Sequence, residues 1–239
     1  NDWTEEEPGK IFHEQRFGEM ARLGIIPHTP YYGTVDATPL FIIVFAELMN
    51  WTDDHAFFDE LLPNVQRAMD WVDRQIAADP DGFVRYGRRS RRGLDNQGWK
   101  DSDNSLQFPD GTPIIPPIAL VEVQGYVYQA KQMLAAVLER FGMASRAAVL
   151  RRDAAELRQR FEARFWNDDD RYYGQAIDGS GRLVPAVSSN PGHALFSGIV
   201  TEDRARQVVE RLRGPDMFSG WGIRTLSTEM PHYNPMSYH

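Results

Sequence analysis

The chain has 239 residues, of which 42% are hydrophobic, so it is long enough to bury a sizeable core and is not a disordered tail. Its formal net charge of −8 argues against binding along a nucleic-acid backbone, and the absence of Cys excludes thiolate catalysis and Cys-ligated metal sites. The longest apolar run, Leu40 to Ala46, is far shorter than the roughly 20 residues that cross a bilayer. We expect a soluble protein, which we place in the cytoplasm, with neither nucleic acid nor membrane as a partner.

The first third of the chain predicts an entry segment and two helices. Residues 1–32 show no clear helical stripe, which indicates an extended or irregular start. From Ala37 to Met49, apolar residues cover every side of a predicted helix that has Pro39 in its first turn, so we expect this helix to be buried all round. The next predicted helix, about Phe57 to Ala78, has apolar residues at spacings of three and four and one charged face.

A long stretch from Tyr86 to Pro117 has no sustained period and is rich in Arg, Asp and amide side chains around Asn96–Asn104. Such a segment is uncommon inside a compact domain unless it carries function, so we interpret it as a site loop. The basic run Arg85–Arg92 is either a solvated turn or part of the rim of a site.

The second half of the chain predicts four more helices and a hairpin. The first of these helices begins at Pro117 and is apolar on both sides, because only Glu122 and Lys131 are charged between Ile118 and Leu138. A charged surface helix, a β-hairpin, a short apolar helix and an amphipathic helix capped by Thr201 follow it. Their predicted ranges are about 117–141, 144–165, 171–184, 189–199 and 201–212.

The order of these elements repeats. Three times, at Pro39, Pro117 and Pro191, a loop leads into an inner helix that a charged outer helix follows. This pattern predicts a mainly all-α fold, part of a two-layered helical toroid with about three helical hairpins, a small β-hairpin and long active-site loops. Because the inner helices would point the same way, Asp36, Trp99–Asp103 and Ser188–Asn190 should converge at one mouth.

Several sequence blocks resemble bacterial glycogen debranching enzyme-like proteins of the amylo-α-1,6-glucosidase type. The blocks are Asp2–Glu14, Tyr31–Phe41, Asn96–Ser102, Pro117–Tyr126 and Trp221–Leu226. The resemblance implies that residues 1–239 are part of one (α/α)6 catalytic domain, a fragment of roughly half the toroid that works with the rest of its own domain. It also implies a glycoside hydrolase that cleaves α-glucosidic linkages, preferably α-1,6, of an oligosaccharide or polysaccharide by inversion and without a cofactor.

Inverting hydrolysis needs a protonated acid and an ionised base on opposite faces of the sugar, roughly 6.5–9.5 Å apart. The resemblance implies that Asp101 is the acid, and the Trp99 indole would favour the protonated form of a neighbouring carboxyl. Asp103 and a purely structural role for Asp101 are the alternatives. The base is expected beyond His239, with Glu229 and Glu122 as candidates within the chain.

Glu122 lies near a predicted helix N-terminus, where the helix dipole favours the ionised form. This position suits an acceptor for a sugar hydroxyl better than a water-activating base, and the alternative is a buried carboxylate paired with an Arg. Asp36 would bind sugar hydroxyls or simply cap its helix, while Trp99 and Trp221 would be sugar platforms or core residues. The remaining residues expected to bind substrate are Lys100, Gln124, Arg88 and Arg224.

The sequence also bears on metal binding and on two alternatives to a hydrolase. His13, His193, His232 and His239 lack the spacing of metal ligands, so we expect no metal. The chain could instead be a non-catalytic carbohydrate-binding or structural half-toroid that lacks the general base. A phosphorylase or a sugar epimerase on the same scaffold is a third possibility.

Overall fold

The computed structural model, in which residues 1–237 are described, contains three successive pairs of helices. A one-turn helix, α1, precedes them. Each pair joins one predicted inner helix to the outer helix that follows it, so the mainly helical, partial α/α-toroid fold is confirmed. The helices are α1 Glu19–Arg22, α2 Ala37–Thr52, α3 His55–Ala78, α4 Val121–Arg140, α5 Ala144–Arg164, α6 Asn190–Ser197 and α7 Glu202–Leu212.

Five two-residue strands form two small antiparallel sheets. The three-stranded sheet has the order β1-β4-β5, and the other pairs β2 with β3. The predicted hairpin at 171–184 is therefore split between both sheets. The strands are β1 Ala119–Leu120, β2 Trp166–Asn167, β3 Tyr172–Tyr173, β4 Ala176–Ile177 and β5 Leu183–Val184.

The predicted helix start at Pro117 is wrong. Ile118 exchanges backbone hydrogen bonds with Tyr86, at 2.8 and 3.0 Å, and Ala119–Leu120 pairs with β4. Helix α4 begins only at Val121. The sequence reads as continuous apolar helix here because strand partners from distant parts of the chain leave no local periodic signal.

Helix α4 is the centre of the core and packs against α2, α5 and α6. Two of its charged residues, Glu122 and Lys131, are both 1% exposed. The Lys131 ammonium contacts Asp73 of α3 and Asp153 of α5. The expectation that α4 is buried on both sides is thus correct, and its one buried cation is neutralised by the two outer helices beside it.

The expectation that α2 is buried all round is wrong for the described residues. One face packs through Ile42, Phe45 and Met49, but Val44 is 65% exposed and Trp51 is 86% exposed. The uniform apolarity of this helix concealed its exposed face, because periodicity identifies a water-facing side only when polar residues occupy it.

Helices α2 and α4 run in the same direction. At one end, Arg140 near the C-terminus of α4 donates a hydrogen bond of 2.6 Å to the Met49 carbonyl near the C-terminus of α2. Their N-termini therefore lie at the other end. None of the helices in the described part of the chain is long and apolar enough to cross a membrane.

Replacing Leu134 of α4 with Ala should lower the free energy of unfolding by about 2–5 kcal/mol, because the side chain is 3% exposed and its loss leaves a cavity. The matched control is Val209→Ala on α7, where the side chain is 45% exposed and we expect a loss below about 1 kcal/mol. Urea unfolding followed by circular dichroism measures both, and equal losses would contradict the central position of α4.

Candidate active site

The N-terminal ends of the three inner helices lie together with the site loop. The Val35 N–H, just before α2, donates to the Gln97 carbonyl at 2.8 Å. The Asn190 side chain at the start of α6 donates to Glu122 Oε1 at the start of α4, at 2.9 Å. We call the region formed by Asp36, Trp99–Asp101, Glu122, Tyr126 and Asn190–His193 the mouth.

Glu122 is the most buried carboxyl of the mouth. Its Oε1 accepts from Asn190, whereas Oε2 has no hydrogen-bond partner among the described residues. Burial raises the pKa of Glu122 to about 7, against the opposing effects of the Asn190 hydrogen bond and the Lys100 charge. The expected preference for the ionised form is therefore wrong, since desolvation outweighs the helix dipole, and the proposed Arg partner is in fact Asn190.

Asn190 itself is held in one orientation. Its Oδ1 accepts from the Ser188 hydroxyl at 2.9 Å and from Gln175 Nε2 at 3.3 Å, so its nitrogen must face Glu122. Gln175 in turn belongs to the turn between β3 and β4. The small sheet and the third inner helix together therefore fix the one hydrogen bond that Glu122 receives.

His193 and Tyr126 are mouth residues that the sequence analysis did not select. The Tyr126 hydroxyl and His193 Nδ1 are 2.7 Å apart, and the His193 ring centroid lies 5.3 Å from that of Trp99. Burial lowers the pKa of His193, which favours the neutral imidazole. The position of His193 in the first turn of an inner helix was the available signal, since the same rule selected Asp36 and Glu122.

Asp36 does not cap α2 through its side chain. The Thr34 hydroxyl donates to Asp36 Oδ1 at 2.5 Å, and burial raises the pKa of Asp36. No side-chain hydrogen bond of Asp36 caps the helix, while backbone N–H groups of Asp36 and Ala37 lower the pKa of this carboxyl against the effect of burial.

Asp101 is half-buried, and no described residue donates a hydrogen bond to its carboxylate. The backbone around it is nevertheless tightly held. Asn96 Nδ2 donates to the Ser102 carbonyl at 2.7 Å, and the Ser105 hydroxyl donates to the Lys100 carbonyl at 2.8 Å. Asp101 is thus a positioned carboxyl whose oxygens have no hydrogen-bond partner among residues 1–237, whereas the alternative Asp103 is exposed.

Two of the residues expected to bind substrate have other roles in the fold. Gln124 is completely buried, and its side-chain amide exchanges two hydrogen bonds with the Val84 backbone and donates a third to the Leu120 carbonyl. No donor or acceptor remains for a sugar. Arg88 lies on the surface, paired with Asp95 at 2.6 Å. Both side chains are thus engaged by protein groups in this structure, and their roles in substrate binding stay predictions.

Lys100 and Arg224 also direct hydrogen bonds to the backbone. The Lys100 ammonium donates to the Thr225 carbonyl at 2.6 Å, and the Arg224 guanidinium donates to the Pro215 carbonyl at 3.2 Å. Trp221 is 99% exposed at the tip of a turn, so its interpretation as a core residue is wrong. It remains available as a platform for a sugar ring.

The N-terminal segment holds the site loop through one buried carboxylate. Glu5 is 1% exposed and accepts hydrogen bonds from the Tyr31 hydroxyl, the Ser90 N–H and Gln97 Nε2, at 3.2, 3.2 and 2.8 Å. The Tyr31 hydroxyl also accepts from the Leu94 N–H at 2.8 Å. We call this network the Glu5 knot; it orders a loop that has no regular backbone hydrogen bonding of its own.

The described residues contain no cluster of His, Asp or Glu suited to a metal ion. What the mouth does contain is a group of oxygen acceptors beside an indole and an imidazole. Carboxyl oxygens can accept hydrogen bonds from the hydroxyl groups of a ligand, and carboxyl groups in different environments can take different roles in acid catalysis.

The fold is that of helical-toroid glycosidases. A GH78 family rhamnosidase of Bacillus sp. GL1 superposes with a TM-score of 0.59 and 18% identity, over 76% of this chain and 17% of that one. A rhamnosidase from Klebsiella oxytoca with rhamnose bound superposes with a TM-score of 0.53 and 17% identity, over 75% of this chain and 30% of that one. The chain thus spans less than a third of either structure, and at these identities the likeness shows the fold alone.

The family follows from the sequence. Residues 8–239 match the mannosylglycerate hydrolase MGH1-like glycoside hydrolase domain, and the chain belongs to this family. Among curated proteins, none matches the chain significantly. The resemblance to glycoside hydrolases is confirmed at this level, while the glycogen debranching type stays a prediction.

Replacing Glu5 with Gln should destabilise the site loop, because the new amide nitrogen is a donor and cannot accept a hydrogen bond. It would face either Gln97 Nε2, which binds Oε2 of Glu5, or the Tyr31 hydroxyl and the Ser90 N–H, which bind Oε1. We expect a loss of about 1–3 kcal/mol in unfolding free energy, as for a buried donor left without an acceptor. The neighbouring Glu6 is exposed, so Glu6→Gln is the matched control and should cost less than about 0.5 kcal/mol. Chemical denaturation measures both, and indistinguishable losses would argue against the Glu5 knot.

The raised pKa of Glu122 predicts a pH dependence of stability. In the folded state Glu122 keeps its proton up to about pH 7, whereas in the unfolded chain the same carboxyl, with its ordinary pKa of 4.5, loses the proton at lower pH. Protonation of Glu122 therefore contributes its full stabilisation of the folded state below pH 4.5, and this contribution is lost as the pH rises to about 7. Glu122→Gln keeps the Asn190 hydrogen bond but does not titrate, so its stability relative to the wild type should increase by on the order of 1–3 kcal/mol across this range. Denaturant midpoints at both ends of the range test this, and a constant difference would refute it.

Proposed function

We propose that this chain forms the acid-bearing part of the catalytic centre of a glycoside hydrolase that cleaves α-glucosidic linkages by inversion. Membership of a glycoside hydrolase domain family supports the general class. The single observation that carries the assignment of chemistry is Asp101, a half-buried carboxyl with free oxygens on a loop whose backbone is held on both sides.

Asp101 is the proposed general acid. It must carry a proton in the ground state and deliver it to the glycosidic oxygen as the bond breaks, which requires a positioned carboxyl without a cationic partner. None of the described Lys and Arg residues forms an ion pair with it.

The remaining mouth residues would bind the sugar whose glycosidic bond is cleaved. Asp36, which is only partly buried, would accept a hydroxyl hydrogen bond, and the imidazole of His193, oriented by Tyr126, offers a nitrogen. Glu122 Oε2 has no described partner but is buried, so it would accept a hydroxyl only from a group that reaches the floor of the mouth. Three carboxyl groups in one mouth suit a neutral polyol better than an anionic ligand. Trp221 would stack on a ring bound farther from the bond that is cleaved.

We propose that neither of the two candidates within the chain is the general base. Glu229 is exposed. The raised pKa of Glu122 makes it a poor ionised base, because half of it is protonated near neutral pH. We therefore propose that residues 1–239 are part of one (α/α)6 catalytic domain and that another part of that domain supplies the base.

The α-1,6 branch of a glycogen-like oligosaccharide is the proposed linkage, on the strength of the sequence blocks that resemble debranching enzymes. The second candidate is a non-catalytic carbohydrate-binding half-toroid. One observation favours it. Within the described part of the chain, Asp101 is the one mouth carboxyl that is half-buried and has no hydrogen-bond partner, whereas inversion requires two catalytic carboxyl groups.

Replacing Asp101 with Asn in the full-length protein should lower glucose release from a branched dextrin by at least about a thousandfold, because the amide has no proton to deliver. The melting temperature should change little, since the carboxylate makes no hydrogen bond to a described residue. Asp103→Asn is the matched control and should retain activity near the wild-type level. Proton NMR of the first product anomer reports inversion, and near-normal turnover of the Asp101→Asn variant would eliminate the proposal in favour of the binding-only candidate.

A further inference from the structure

Lys100 lies between the two residues that the proposed function uses most, Trp99 and Asp101, yet its side chain is turned into the protein. It is 7% exposed, and its ammonium lies 5.0 Å from the centroid of the Trp99 ring. A buried ammonium is costly unless it is paired, so its partners define its role. These partners belong to two different parts of the chain.

The first partner is the base of a small hairpin. Residues 217–224, which we call the Trp221 hairpin, are closed by the Arg224 N–H donating to the Met217 carbonyl at 2.7 Å and by a bridge between Phe218 and Ile223. The Lys100 ammonium donates to the carbonyl of Thr225, the residue that follows this hairpin. The same carbonyl accepts from the Ser189 N–H at 3.1 Å.

Other contacts hold the opposite side of the hairpin to α7 and not to the site loop. Arg211 of α7 makes two hydrogen bonds of 2.8 Å to Asp216, and the Ser227 hydroxyl also contacts Asp216. Lys100 is therefore the side chain that ties the Trp221 hairpin to the loop bearing Asp101.

The second partner is the charge of Glu122. Burial lowers the pKa of Lys100 to about 8, and the Glu122 carboxylate acts in the opposite direction. The Lys100 charge likewise lowers the pKa of Glu122, which burial and the Asp36 charge raise. His193 of α6 faces the same ammonium, whose charge lowers the pKa of the imidazole. Among residues 1–237, the titratable groups around Lys100 are thus Glu122 of α4, His193 of α6 and, through Glu122, Asp36 before α2.

We propose that Lys100 is a positioning residue that couples the mouth to the Trp221 hairpin: its ammonium holds the base of the hairpin to the loop that bears Asp101. It does so without contacting the substrate. The relevance of this coupling to sugar binding rests on the proposed function, whereas the coupling itself is a property of the folded chain.

The consequence is that the proposed distal sugar platform and the deepest carboxyl respond to the same charge. When Lys100 loses its proton, the amine is a weaker donor to Thr225 and no longer stabilises the Glu122 carboxylate. The hairpin then loosens, and Glu122 holds its proton to a higher pH.

Lys100→Met tests the coupling, because it keeps the length and apolar stem of the side chain while removing both the charge and the donor. Hydrogen exchange followed by mass spectrometry should show about tenfold faster exchange across residues 216–228. In carboxyl carbon NMR, the pKa of Glu122 should rise by about one unit. The control is Lys10→Met, since the Lys10 side chain is also buried but pairs with Glu7 of the N-terminal segment, so neither quantity should change.

A measurement on the wild-type protein covers the case in which Lys100→Met does not fold. After correction for intrinsic exchange, residues 216–228 should exchange faster relative to α3 as the pH rises through about 8. An unchanged ratio, or in the variant an unaltered Glu122 titration, overturns the proposal. Neither readout requires activity, so failure here is distinguishable from failure of the Asp101 assignment, which turnover measures.

Discussion

The burial of α4 on both sides is the constraint on which the rest of the structure depends. A helix packed between α2, α5 and α6 leaves no route to water for Glu122 and Lys131, which are both 1% exposed. Lys131, in the middle of α4, is neutralised by Asp73 and Asp153 from the outer helices. Glu122 has no such ion-pair contact among the described residues, and its single hydrogen bond comes from Asn190. The same packing thus buries a neutralised cation in the middle of α4 and a carboxyl with a raised pKa at its N-terminus.

The mouth contains carboxyl groups whose environments differ strongly. Glu122 and Asp36 are desolvated and have raised pKa values, whereas Asp101 lies on the site loop with its oxygens free. Environments that separate the protonation of neighbouring acids are how one fold assigns different roles to the same functional group. This contrast, together with membership of a glycoside hydrolase domain family, is why a proton donor and hydroxyl acceptors are a coherent interpretation of the site.

The site loop shows how a segment without regular secondary structure acquires a defined shape. Side chains replace the missing backbone ladder: Glu5 holds Ser90 and Gln97, while Asn96 and Ser105 hold the carbonyls on either side of Asp101. The Glu5 contacts join parts of the chain that are distant in sequence, so the loop depends on the completed fold. Its polar composition, which first suggested a site, is to a large extent the composition of this internal network.

The sequence by itself determined the existence and order of the helices and their pairing. Apolar residues at helical spacing report the buried face where polar residues occupy the other side, and the repeated order of inner and outer helices predicted that the loops before the inner helices meet at one end. The resemblance of short blocks also identified the glycoside hydrolase class. Helix periodicity, the order of the helices and short sequence blocks each depend on residues that are close together in the chain. They can therefore be recognised in the sequence alone.

Tertiary structure alone decided which polar side chains are free. The sequence suggested that Gln124 and Lys100 bind substrate. In the structure, Gln124 forms hydrogen bonds with the Val84 backbone and Lys100 donates one to the Thr225 carbonyl. His193 and Tyr126, by contrast, had no spacing signal and form part of the mouth. A hydrogen bond depends on the position of a partner that lies tens of residues away, and desolvation depends on the whole surrounding volume, so neither leaves a periodic trace in the sequence.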